Sequence, residues 1–205
     1  MTHILHLDVS PRGDRSISRS LTQSFVTDWK AAHPDSTVTY RDIGHHPVPF
    51  VSEDWIAAAF TPPEQHTPEQ AAAIRLSNEL IDEFLAADLY VFGMPMYNFG
   101  VPASFKAYID QIVRAGRTFK VDENGYQGLV HGKKAVFALS QGGSFPPGTP
   151  AEAYDLQTPY LKQIFGFMGI TDLEFVYADN LAAKGEEREQ SIATAQAALR
   201  AIATR

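Results

Sequence analysis

The chain of 205 residues contains no cysteine, which excludes a disulfide framework, a thiolate metal centre and a cysteine nucleophile. It has no run of about 18 consecutive apolar residues, so no membrane-spanning helix is expected. The first apolar stretch follows Met1-Thr2-His3 without a basic flank and is broken by Asp8, unlike a secretory leader. Basic residues never run longer than Lys133-Lys134, and the formal charge is −7. Nucleic acid and anionic membranes are therefore poor partners. Two glycine patterns that cradle phosphates, Gly-x-Gly-x-x-Gly and Gly-x-x-x-x-Gly-Lys-Ser/Thr, are also missing after the first apolar segment. Together these absences fit a soluble cytoplasmic protein.

What is present is a 44% hydrophobic composition, enough for one core and one domain spanning residues 1–205. Residues 3–9 read as a first strand, followed by a Ser/Gly loop and a helix from about Ser18 with Leu21, Phe25, Val26 and Trp29 on one face. Thr37 to Ile43 alternates as a second, edge strand. Leu89 to Phe92 and Ala135 to Leu139 are apolar throughout, as central strands are, and Leu173, Phe175 and Tyr177 alternate as a last edge strand. Between them, Thr67-Pro68-Glu69-Gln70 opens a helix with a capping box, Phe105 to Val113 marks a helix ending at Gly116, and a further helix is expected over about 154–168. A final amphipathic helix carries Ile192, Ala195, Leu199 and Ile202. Two irregular insertions remain, near 44–66 and 117–131, the second around a hairpin signal at Asn124-Gly125.

Alternating strands and helices specify an α/β fold, a doubly wound five-stranded parallel sheet with helices on both faces. The exposure pattern gives the order 2-1-3-4-5, which is flavodoxin-like and places a ligand site where the topology switches between strands one and three. Three loops meet there. The first offers Ser10, Ser16 and Ser18 as hydroxyl donors at the start of a helix, whose unpaired N–H groups suit a phosphate. The second, Gly93 to Pro102, has two glycines and two prolines in ten residues and reads as a stiff turn after strand three. Met96, Tyr97 and Phe99 can cover a flat ring, and Asn98 can meet its polar edge. The third, Ser140-Gln141-Gly142-Gly143, lets backbone approach a ligand closely.

Met-Pro-Met-Tyr-Asn-Phe at 94–99, continued by Gly100-Val101-Pro102, together with Ser10, the triplet Ser16-Ile17-Ser18 and Ser140-Gln141-Gly142-Gly143, resembles the FMN-dependent NADH-azoreductase family of flavodoxin-like quinone reductases. The likeness runs along nearly the whole chain. It implies a homodimer with one FMN per subunit, held by those residues, NADH or NADPH as donor, and a quinone or aromatic azo compound as acceptor of an electron pair. The flavin carries the redox chemistry, so no catalytic side chain is assigned. Some relatives carry a histidine two residues beyond the Gly-Gly pair; here Phe145 stands there, which removes a proton donor and makes quinone reduction the firmer expectation. Two other classes fit the same loops: a flavodoxin-type carrier of single electrons, and a flavin-binding redox sensor.

The histidines give no metal reading, since His3 and His6 face opposite sides of a strand and His45-His46 are neighbours in a loop. Phe60 and Phe119, in the two insertions, are expected with Phe145 to wall the second-substrate site or an interface between subunits.

Overall fold

In the computed structural model, which describes residues 1–123 and 125–205, the parallel sheet is built from β1 (His3–Asp8), β2 (Thr37–Asp42), β3 (Leu89–Pro95), β6 (Lys134–Ser140) and β7 (Asp172–Ala178). Its order is β2-β1-β3-β6-β7, and every adjacent pair is parallel. With the two short strands β4 (Phe119–Asp122) and β5 (Gly125–Gly128) set aside as a separate antiparallel hairpin, this is the topology 2-1-3-4-5 expected from exposure. Asn124 of the hairpin signal lies outside the described residues.

Six α-helices accompany the sheet among the described residues: α1 (Ile17–Ala32), α2 (Glu53–Ala59), α3 (Pro68–Ala86), α4 (Ala103–Ile112), α5 (Gln157–Met168) and α6 (Glu186–Ala203). The central strands are apolar on both faces because both are covered. On one face Leu21 and Phe25 of α1 and Ala195 and Leu199 of α6 bury Val91 and Val136. On the other Phe84, Phe105, Tyr108 and Phe165 of α3, α4 and α5 close over Phe92 and Phe137. Phe92 and Phe137 stack at 5.1 Å, and Phe165 meets both edge-on at 5.3 and 5.0 Å, the geometry aromatic quadrupoles favour. Insertion 44–66 is pinned by polar bonds: Trp55 Nε1 donates to Gln111 Oε1 at 2.8 Å, and Gln111 Nε2 donates to the Pro49 carbonyl at 2.9 Å.

Three boundaries differ from the sequence reading, each for a local reason. Strand β3 does not stop at Phe92 but runs through Gly93 and Met94 to Pro95, in register with β6 up to Ser140. Glycine is admitted in mid-strand because a Cβ at Gly93 would sit 2.5 Å from Asp8 Oδ1 and 2.9 Å from Thr22 Cγ2. Pro95 stands at the carboxyl end of the strand, where the turn begins. Helix α4 ends at Ile112, not Gly116: Thr118 Oγ1 donates to the Ile112 carbonyl at 2.8 Å and accepts from Arg114 N–H at 3.0 Å, folding the chain back. Helix α5 begins at Gln157, after a 3₁₀ turn over Pro150–Tyr154. There Asp155 Oδ1 accepts from the N–H groups of Gln157 and Thr158 at 3.0 and 2.9 Å and so sets the start.

Candidate functional site

Parallel strands point their carboxyl ends the same way, so the loops after β1, β3 and β6 emerge along one sheet edge. In the first loop Ser10, Ser16 and Ser18 are all buried. Ser16 is the N-cap of α1, its Oγ accepting from Arg19 N–H at 3.4 Å and lying 3.2 Å from Ser18 Oγ. Ser10 Oγ accepts from Arg12 N–H at 3.3 Å. The N–H groups of Ile17 and Ser18 have no partner among the described residues. The Ile17 side chain packs into the core beside Phe25, so this residue offers its backbone alone. Two free donors and the adjacent hydroxyls of Ser16 and Ser18 stand at the positive end of a helix of 16 residues, with Ser10 in the same loop, which is the chemistry of an anion site.

The turn after β3 is tighter than its ten-residue motif implies. Tyr97 and Gly100 exchange both backbone hydrogen bonds, at 3.1 and 3.0 Å, across Asn98 and Phe99. Both central residues are left-handed, with φ of 48° and 69°, as a two-residue primed hairpin turn demands. Asparagine tolerates this conformation, whereas phenylalanine at positive φ is an outlier that costs about 1–3 kcal/mol and marks functional sites. The rest of the loop is over-determined to hold it: Met96 N–H donates to the Ser140 carbonyl at 2.8 Å, and Leu156 N–H donates to the Phe99 carbonyl at 3.0 Å. The Phe99 ring meets Phe145 edge-on at 6.2 Å and Tyr154 at 5.2 Å.

The third loop is held from behind. The carbonyls of Gln141, Gly142 and Gly143 accept from Leu181, Ala182 and Asn180 N–H at 3.1, 3.0 and 3.2 Å. The N–H groups of Gly142 and Gly143 are left without a partner among the described residues. A Cβ at Gly142 would meet only Ala182 Cβ, at 3.8 Å, so packing within the chain does not require glycine there. Met96, Asn98, Phe99, Gly142, Gly143 and Phe145 enclose a hollow of about 270 Å³. The structure thus brings Met96, Asn98, Phe99, the Gly-Gly pair and Phe145 together, while Tyr97, Ser140 and Gln141 stand outside the hollow's lining. Phe60, exposed at the end of α2, and Phe119, tilted against Phe167 at 4.8 Å in the hairpin, do not line that hollow.

A polar network beneath the first loop escaped the sequence reading. Arg19 Nε donates to the Ser10 carbonyl at 2.7 Å, while its Nη1 and Nη2 grip Asp42 at 2.8 and 2.5 Å. Asp8 accepts from Thr22 Oγ1 at 2.9 Å and Tyr40 OH at 3.1 Å. Burial works to raise the Asp42 pKa, but the hydrogen bonds from Arg19 and His45 outweigh it and hold the carboxyl well below the usual range. Burial, then the Asp8 charge, pushes the Tyr40 phenol up to about 12. Asp8 and Asp42 are register partners on adjacent strands; two acids ending neighbouring strands, with an arginine in the first turn of the intervening helix, were the available signal.

The donors and cover fit FMN part by part. The anion site suits its monophosphate, the free Gly142 and Gly143 N–H groups suit the polar edge of its ring, and Met96 to Phe99 suit the ring face.

Comparison with known proteins points the same way. Residues 2–203 match the family model described as "Flavodoxin-like fold". The chain is 62% identical over 200 residues to the FMN-dependent NADH:quinone oxidoreductase 2 of Trichormus variabilis, covering 97% of each chain. It is 61% identical over 199 residues to the FMN-dependent NADH:quinone oxidoreductase of Nostoc punctiforme, again covering 97% of each. Among solved structures it superposes on an azoreductase from Bacillus anthracis with TM-score 0.91 and 30% identity, covering 100% of this chain and 99% of that one. An FMN-dependent NADH-azoreductase from the same organism, in complex with FMN, also gives TM-score 0.91, with 25% identity and the same coverage.

Proposed function

The chain belongs to the flavodoxin-like-fold family and, within it, to the group of FMN-dependent NADH:quinone oxidoreductases, and from that premise we propose that it oxidises NADH and reduces quinones through one FMN per chain. The observation that carries this reading is the meeting of three loops at the topological switch point, each presenting unpaired donors or aromatic cover to the same edge. When bound, FMN supplies the capacity to take a hydride from NADH and to release two electrons with protons to a quinone, yielding NAD⁺ and hydroquinone. The chain's own part is to position and to shield. Ser10, Ser16, Ser18 and the Ile17 N–H hold the phosphate. Met96, Tyr97, Asn98 and Phe99 fix the ring plane, the Gly142 and Gly143 N–H groups bond its polar edge, and Ser140 and Gln141 brace that loop through their backbone hydrogen bonds. Phe145 closes the hollow without offering a proton, so protons reach the quinone from solvent, and azo compounds are the slower acceptors. NADH is the assigned donor, with NADPH the alternative.

The names of the relatives favour an enzyme over a carrier of single electrons or a redox sensor. We further infer a cytoplasmic homodimer; exposed Phe50, Ile56 and Phe60 support an interface in which Phe60 and Phe119 serve the partner's substrate site. No helix among the described residues is long and apolar enough to cross a membrane. The test is steady-state oxidation of NADH with 1,4-benzoquinone at several fixed concentrations. Parallel double-reciprocal lines are expected; no quinone-dependent NADH consumption by FMN-loaded protein overturns the proposal.

A further inference from the structure

A second hollow of about 380 Å³ opens on the far side of Phe145, between the loop after β6, the first turns of α5 and the end of β7. It shares Phe145 with the ring hollow and otherwise has its own walls. Phe145, Pro146, Pro147, Pro159 and Tyr177 make it chiefly apolar, and its volume is that of a site for a small aromatic molecule. Its polar groups are nearly all engaged. Tyr177 OH pairs with Thr158 Oγ1 at 3.0 Å, Asp155 caps α5, Asp179 Oδ1 accepts from Ser191 Oγ at 2.9 Å, and Glu152 Oε2 accepts from Gly148 N–H at 2.7 Å. Ser144 and Lys162 complete the polar lining, and the buried group among them left without a partner is Gln141. Its backbone N–H donates to the Ala178 carbonyl and its carbonyl accepts from Leu181. Its side chain is 98% buried against this hollow, and Nε2 has no partner. A buried amide donor left unmade is costly, about 1–3 kcal/mol, and a site that keeps one fits a ligand oxygen. Glu152, Asp155 and Asp179 against Lys162 alone leave the walls net negative.

We propose that this hollow is an extension subsite for the electron acceptor: it takes the part of a neutral, extended aromatic acceptor that projects beyond the reacting ring, and it rejects anionic substituents. The inference rests on the reductase reading above. An acceptor stacked on the open face of a flavin ring held in the first hollow, and carrying a second aryl group, lays that group past Phe145 onto Pro159 and Tyr177, with Gln141 Nε2 turned to donate to a carbonyl or ether oxygen it carries. An anionic substituent there meets three carboxylates across a partly dry space, which penalises it.

The experiment uses the FMN-loaded chain and three acceptors: 1,4-benzoquinone, phenyl-1,4-benzoquinone, and the latter sulfonated on its phenyl ring. Flavin content is read by absorbance for every variant. Phenyl-1,4-benzoquinone should show a kcat/KM at least about tenfold above its sulfonated analogue, through KM, because the sulfonate meets the carboxylates of Glu152, Asp155 and Asp179. Pro159→Trp fills the hollow from an exposed position and should remove that preference while leaving benzoquinone turnover and flavin content unchanged. Glu152→Lys, also exposed, should raise kcat/KM for the sulfonated acceptor several-fold. Equal kcat/KM for the two phenyl acceptors in the parent protein, or a Pro159→Trp variant that keeps the preference, overturns the subsite. Failure of benzoquinone itself to be reduced sinks the reductase reading instead, so the two failures are separate.

Discussion

At the residue scale the strained position is Phe99, and its cost and its use can be separated. Phe99→Gly removes the penalty of φ 69° and should raise or preserve the thermal midpoint of the FMN-free protein. The same change deletes ring cover and should weaken FMN binding about tenfold or more, measured by flavin fluorescence. A fall in apo-protein midpoint with unchanged FMN affinity contradicts this assignment. Arg19 and Asp42 form the second residue-level device, since Arg19 carries both the Ser10 carbonyl and the Asp42 carboxylate. Asp42→Asn should cost about 1.5–3 kcal/mol in urea unfolding, the range for hydrogen bonds to a charged group. Because the folded-state pKa of Asp42 is depressed, its contribution is complete above the ordinary carboxylate pKa of about 3.9 and is lost as pH falls below that value. The parent protein should hold this increment of stability from neutral pH down to about 3.9 and lose it progressively below that, toward the depressed folded-state pKa, and the Asp42→Asn variant should lack this component.

At the scale of elements, α1 and β3 are fitted to each other through Gly93. An alanine there forces its Cβ against Asp8 Oδ1, Thr22 Cγ2 and the Ser18 carbonyl, the last at 3.0 Å. Gly93→Ala should therefore cost about 1–3 kcal/mol as overpacking does, and should reduce FMN content because it lifts the helix end that carries the phosphate site. Normal flavin stoichiometry in this variant would argue against coupling between the two loops. Leu89 to Phe92 and Ala135 to Leu139 announced central strands because burial on both faces leaves an unbroken apolar run. Gly93 and Pro95 suggested that β3 had ended, since local propensity has no knowledge of a carboxylate 2.5 Å from a missing methyl group. The end of α4 was likewise set by Thr118, a residue six positions on. Boundaries of this kind are decided by contacts that spacing alone does not record.

At the scale of the whole molecule, strand order was legible because the two alternating strands had to be edges, and the order then placed the switch point. The motif residues at 94–99 and 140–143 were legible by resemblance, and the fold brings Met96, Asn98, Phe99, Gly142 and Gly143 of them to one hollow. The network under the first loop was not, because Asp8, Arg19, Tyr40 and Asp42 become neighbours only when β1 and β2 pair. The second hollow was hidden for the same reason: Gln141, Pro159 and Tyr177 come from three separate elements. The central claim, that three loop ends of one sheet build a site for FMN through which NADH reduces a quinone, is tested most directly by anaerobic titration of the purified, FMN-loaded protein. The account predicts one FMN per chain, bleaching of its visible absorbance by one equivalent of NADH, and full recovery of that absorbance on adding one equivalent of benzoquinone. Protein that does not retain FMN, or bound FMN that NADH leaves oxidised, contradicts it.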